Sequence, residues 1–177
     1  MELVRIAFLE TYSFDDKSGI MGAILVTDTD TKPLEFRVTA PIKPTSFQKT
    51  LYGSVLNEHV LVELIALPLL GAIKDNIDLL LVRDPLFLGI NNKQGVRCIR
   101  LFTEQEEPSK ANKTENTPIE LPGETVKSFI ETTRKFNNEL PDIREKLSAI
   151  SMYRNLTEPF ERLRIACEQV HLQKVDE

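Results

Sequence analysis

The run Ile20 to Val26, IMGAILV, holds no polar side chain, and polar turn-forming segments close it at both ends: SFDDKSG over Ser13–Gly19 and DTDTK over Asp28–Lys32. A stretch of this length without polar alternation has no side to offer to water, so it reads as a central strand of a sheet. Its neighbours fit that position. Leu3 to Tyr12 puts Val4, Ile6 and Phe8 on one face, with β-formers between them, and reads as a first strand. Pro33 marks the entry to a third, Leu34 to Ala40. Three strands joined by short polar loops predict an antiparallel meander.

Pro41 and Pro44 cannot donate to a ladder, so the third strand ends there. Thr45 or Ser46 then offers a hydroxyl to free amides, and Gln48 three residues after Thr45 completes a capping-box pattern. Phe47, Leu51, Val55 and His59 recur at helical spacing, with Gly53 as a weak point among them. The apolar residues continue through Val60, Leu61, Leu64, Ile65 and Leu67, so the helix either runs to Pro68 or breaks and restarts near Asn57. Ile77–Val82 (IDLLLV) predicts a fourth strand ended by Arg83-Asp84-Pro85, and Gly95–Thr103 a last one.

From Glu104 to Pro122 the chain is polar and carries three prolines, which predicts a linker or long exposed loop. Beyond it, Val126, Phe129, Ile130, Thr133 and Phe136 form one helical stripe, closed by Pro141. Ile143, Leu147 and Ile150 form a second, and a third is capped by Thr157 and carries Leu156, Phe160, Leu163, Cys167 and Val170. That third spacing is heptad-like but short, and suits packing within a helical unit or pairing with another chain. The expected fold is α+β: a mainly antiparallel sheet of about five strands in β-β-β-α-β-β order, with one long helix packed on it and a C-terminal helical group. The expected division is a sheet domain over 1–104, a linker or loop over 105–122 and a helical unit over 123–177.

A hydrophobic share of 41%, a charged share of 28% and a net charge of −5 describe a globular chain whose surface as a whole is not basic. The acidic excess is spread over both halves. Cys98 and Cys167 are far apart, which favours buried thiols over a disulfide framework or zinc site. No signal-peptide pattern is present, and Glu63, Pro68 and Gly71 interrupt the longest apolar stretch, so the expected location is cytoplasmic, without a membrane span.

Candidate chemistry gathers at two places. Arg37, Lys43 and Lys49, with the hydroxyls of Thr39, Thr45, Ser46 and Tyr52, surround the strand-to-helix junction. Free amides at a helix start and nearby cations attract anions, so a phosphate-containing ligand or an acidic partner surface would sit there. There is no GxGxxG or GK[ST] to sharpen this reading. The second place is carboxylic: Glu10 near the end of the first strand and Asp84 at the end of the fourth. With these acids, the β-β-β-α-β order over roughly residues 3–90 resembles that of RNase H-like nucleases. The resemblance implies a divalent metal held by Glu10 and Asp84 for phosphodiester cleavage. Ile6, Ala7 and Phe8 stand where such nucleases carry a mid-strand aspartate.

Asp28 and Asp30 lack the glycine and glutamate of a calcium loop and read as turn residues. His59 lies in or beside an apolar helix and His171 near the C-terminus; no serine lies in a GxSxG elbow and neither cysteine has a local family signature. The leading expectation is therefore a non-catalytic, cofactor-free binding or assembly module, acting through a protein partner or self-association. The alternatives are a nucleic-acid-processing protein with an RNase H-like sheet, degenerate or metal-dependent, and a phosphate-ligand binder at the strand–helix junction.

Overall fold

A computed structural model describes all residues except 17–18, 94, 110–113 and 177. The chain is α+β, built on one mixed sheet of seven strands in the order β3-β2-β1-β4-β5-β7-β6. The meander forms as the sequence predicts. β1 (Ile6–Ser13) pairs antiparallel with β2 (Ile20–Thr27), and β2 with β3 (Pro33–Val38). β2 lies between the other two, and Ala23 to Val26 are almost fully buried, as an apolar run without alternation requires.

The second half of the sheet departs from the mainly antiparallel expectation. β4 (Leu79–Val82) lies parallel to β1, and β5 (Cys98–Thr103) parallel to β4. Parallel neighbours need covered crossovers, and β4 is accordingly buried on both faces.

The segment expected to be a linker carries β6 (Thr114–Ile119), and the first expected C-terminal helix is β7 (Ser128–Thr133), which pairs antiparallel with both β5 and β6. Physical reasons account for both corrections. β6 is an edge strand with an open face, so it can be polar and can hold Pro118. In β7 the β-branched residues Ile130, Thr132 and Thr133 favour an extended backbone, and pairing with β5 decides against the helical stripe. The sheet thus continues past residue 104, through segments expected to be linker and helical unit.

The long helix is also broken. α1 (Ser46–Tyr52) starts at Thr45 with the predicted capping box, complete in both directions through Gln48. It ends at Gly53, whose φ of 53° and ψ of −128° leave the helical region. A 3-10 turn (Gly53–Val55), α2 (Leu56–Glu58), a π-helical segment (His59–Ala66) and α3 (Leu67–Ala72) follow. The whole run, Ser46–Ala72, is long and apolar enough to cross a bilayer. Its second half is instead core: Val60, Leu61, Val62, Ile65, Ala66 and Leu69 are buried. Ile65 comes so close to β2 that a Cβ on Gly22 would lie 2.2 Å from its Cγ2. α1 buries nothing, contrary to the expected cover of one long helix.

A 3-10 segment (Pro85–Asn92) shares this face of the sheet with Ala7, Leu9, Leu80 and Val82. The opposite face, with Ile6, Phe8, Leu79 and Leu81, is covered by α4 (Leu140–Ser151) and α5 (Glu158–Asp176). Pro141 lies in the first turn of α4, where its missing N–H costs nothing. At the start of α5 the acceptor for the N–H groups of Thr157 and Glu158 is Asn155 Oδ1, at 2.8 and 3.1 Å, in place of the expected Thr157 cap. The heptad-like stripe of α5 lies against this chain's own sheet, with Phe160 edge-on to Phe8 at 5.4 Å.

Candidate functional site

The parallel pairing of β1 with β4 brings the two candidate acids to the same end of the sheet. Leu9 lies opposite Val82, so Glu10 and Arg83 follow at the next register position. Ile6 and Phe8, and Leu79 and Leu81, point toward α5, and by the period of two Glu10 and Arg83 continue on that face. Burial raises the Glu10 carboxyl above its ordinary pKa; the Thr11 N–H and the nearby Arg83 charge pull it back, while Asp84 pushes it further up. Glu10 Oε1 accepts the Thr11 N–H at 2.9 Å.

Asp84 has its own task. Its Oδ1 accepts the Leu86 N–H at 2.9 Å and caps the 3-10 segment that begins at Pro85. Among the described residues, no three His, Cys, Asp or Glu side chains are grouped to hold a metal ion. A divalent cation needs ionised, accessible oxygens. Here one acid is half-buried with its carboxyl pKa raised, the other spends Oδ1 on a cap, and a guanidinium lies beside them. The residues do not fit the metal that the RNase H-like resemblance implies.

Two arginines organise the neighbourhood. Arg100 and Glu131 are direct cross-strand partners of β5 and β7, paired at 2.7 Å with side chains 5% and 0% exposed. Glu131 also accepts from the Thr114 hydroxyl at 3.2 Å and the Ser109 N–H at 3.3 Å. Arg100 donates to the carbonyls of Arg83 at 3.1 Å and Glu107 at 3.0 Å. The buried pair thus anchors the backbone at Arg83. Arg83 itself is partly exposed, lies 3.7 Å from Glu106 Oε1, and stands 6.0 Å from the Phe160 ring centroid. In the sequence Arg83 marks only a strand end. The Arg100–Glu131 pair was hidden because Glu131 falls in the segment expected to be helical.

The strand–helix junction is arranged otherwise. Arg37, partly exposed, is paired with Glu35 at 2.7 Å. Burial would raise the Glu35 carboxyl, but the N–H groups of Lys74 and Asp75, with Arg37, hold it below the usual range. Glu35 thereby ties β3 to the end of α3. Lys43 stands 5.5 Å from the Phe14 centroid, and Tyr52 stacks on His59 at 4.5 Å. Thr45 is spent on its cap, Ser46 O accepts the Thr50 hydroxyl, and Lys49 sits exposed on α1. A cleft of about 200 Å³ is lined by Lys43, Pro44, Gln48, Tyr52 and His59. Around it stand bare apolar side chains: Phe47 at 72% exposure, Leu51 at 66% and Val55 at 56%.

No protein-family model matches the chain, and no curated protein matches it in sequence. Its fold is similar to that of endonuclease V. The structure from Ciona intestinalis, in complex with a 24mer DNA containing an inosine followed by a ribo-adenosine, matches with a TM-score of 0.62 at 12% identity, over 98% of this chain and 87% of that one. Endonuclease V from Streptomyces avermitilis matches with a TM-score of 0.62 at 11% identity, over 99% and 84%. That from Bacillus subtilis matches with 0.59 at 13% identity, over 98% and 81%. The likeness is one of fold.

Proposed function

We propose that this protein binds nucleic acid through an endonuclease V-like fold whose metal site is degenerate. The observation that carries the reading is the extent of the match: nearly the whole chain superposes on most of a protein solved with DNA. The contact elements are the C-terminal ends of β1 and β4 and the projecting α1. Exposed Lys49 and Lys43 suit a phosphate backbone, and bare Phe47 and Leu51 suit unstacked bases, which aromatic and apolar side chains accept without sequence preference. Desolvated Glu10 and capping Asp84 favour binding without metal-dependent cleavage.

The test is fluorescence anisotropy with labelled single- and double-stranded oligonucleotides, together with a cleavage assay in magnesium or manganese. Binding in the micromolar range or tighter at moderate salt, without strand scission, is expected. No binding even at low salt would sink the proposal. A second reading, contact with a protein partner, is favoured by the same bare side chains of α1. It would show as self-association on sizing that Phe47→Ser or Leu51→Ser abolishes.

A further inference from the structure

The Arg83 guanidinium has more hydrogen-bonding capacity than the protein uses. It carries five N–H donors in a rigid fork, yet among the described residues none makes a hydrogen bond, and its ion pair to Glu106 is long at 3.7 Å. Three other arginines are spent: Arg97 is bound to Glu139 through both carboxylate oxygens, Arg162 to Glu158 and Thr31, and Arg100 to Glu131. Arg83 is also held in place. Phe160 stands beside its guanidinium, and its own carbonyl accepts from the buried Arg100. It sits just past the carboxyl end of β4, beside β1, where open sheets with parallel strands bind their ligands.

We infer that Arg83 takes the place of a divalent metal at this end of the sheet and grips a backbone phosphodiester directly, so that nucleic-acid binding is metal-independent. The inference rests on the nucleic-acid reading above and names the group that makes the central contact. A guanidinium matches two phosphate oxygens at once, and here it projects from an anchored backbone. The neighbouring acids do not defeat it. Glu10 is half-buried with its carboxyl pKa raised by that burial, Asp84 is turned to the Leu86 N–H, and Glu106 is exposed and loosely paired.

The experiment compares wild type, Arg83→Gln and Arg83→Lys in anisotropy titrations of one oligonucleotide over a salt series, each with excess EDTA and with magnesium. Circular dichroism melts first establish that all three fold. Wild-type affinity should be the same in EDTA and magnesium. Arg83→Gln should weaken binding about tenfold and lower the salt slope by about one, and Arg83→Lys should recover most of the loss. Calorimetric titration of the free protein with manganese should show no saturable heat. If wild type binds and Arg83→Gln binds equally well, or if EDTA abolishes binding, or if manganese binds saturably, the inference falls while the nucleic-acid reading stands. If wild type does not bind in any condition, that reading fails and takes the inference with it.

Discussion

The Arg100–Glu131 pair gives the sharpest stability test, because it is an ion pair with almost no water. The partners are 2.7 Å apart, 5% and 0% exposed, and face each other across β5 and β7. Arg100→Leu would leave Glu131 with the Thr114 hydroxyl and a long contact to the Ser109 N–H at 3.3 Å, and no counter-charge. Stranding a buried charge in this way costs about 3–5 kcal/mol. For a chain of this size, that is a fall in Tm of about 6–20 °C. Replacing both partners by Leu removes the stranded charge as well as the attraction, so the double variant should lose less than either single one. Urea unfolding followed by far-UV circular dichroism measures all three, with the slope m checked for constancy. A single-variant cost below about 1 kcal/mol would show the pair to be solvated. A double cost equal to the sum of the singles would show that the two charges do not interact.

Gly22→Ala should destabilise by about 1–3 kcal/mol, read by the same unfolding curves, because the new Cβ would meet the buried Ile65 at 2.2 Å. Glu10→Gln should stabilise at neutral and higher pH and change little near pH 4. The folded-state pKa of Glu10 is raised by burial, so its stabilising proton is bound below the folded pKa and its ionised form opposes folding above it. The measurement is the difference in Tm between variant and wild type, which should grow with pH; a constant difference would refute the sign. Burial pushes the Cys167 thiol up to about 11 and Cys98 higher still, so both should resist a thiol reagent at pH 8 until urea unfolds the chain. Rapid labelling of native protein would place one of them at the surface.

Local signals are legible in the sequence where one segment decides its own structure. The Thr45–Gln48 capping box, the apolar β2 and the three-strand meander are of this kind. What escaped depends on distant partners. TENTPI is polar because β6 is an edge, and SFIETT carries a stripe compatible with a helix until β5 is placed beside it. The orientation of β4 and β5 could not be read from IDLLLV or VRCIRLF, since a doubly buried strand looks alike in parallel and antiparallel sheets. The candidate site divided in the same way. Glu10 and Asp84 were legible as acids at strand ends, but the desolvation of one and the capping duty of the other arise only from packing.

The apolar centre of β1 follows from the same packing. Phe8 is fully buried and meets Phe160 edge-on at 5.4 Å, so an ionised carboxylate there would enter a dry core. With that position closed, the proposed anionic ligand would meet Arg83, Lys43 and Lys49 at this end of the sheet. The net charge of −5 does not prevent this, because at physiological salt charges more than about 8 Å from the contact are largely screened. The number of local cations limits how many phosphates the surface can neutralise. Three cationic contacts give a salt slope of about −3 on duplex DNA. A measured slope near −6 or steeper would require cations beyond Arg83, Lys43 and Lys49, and would move the interface away from this end of the sheet.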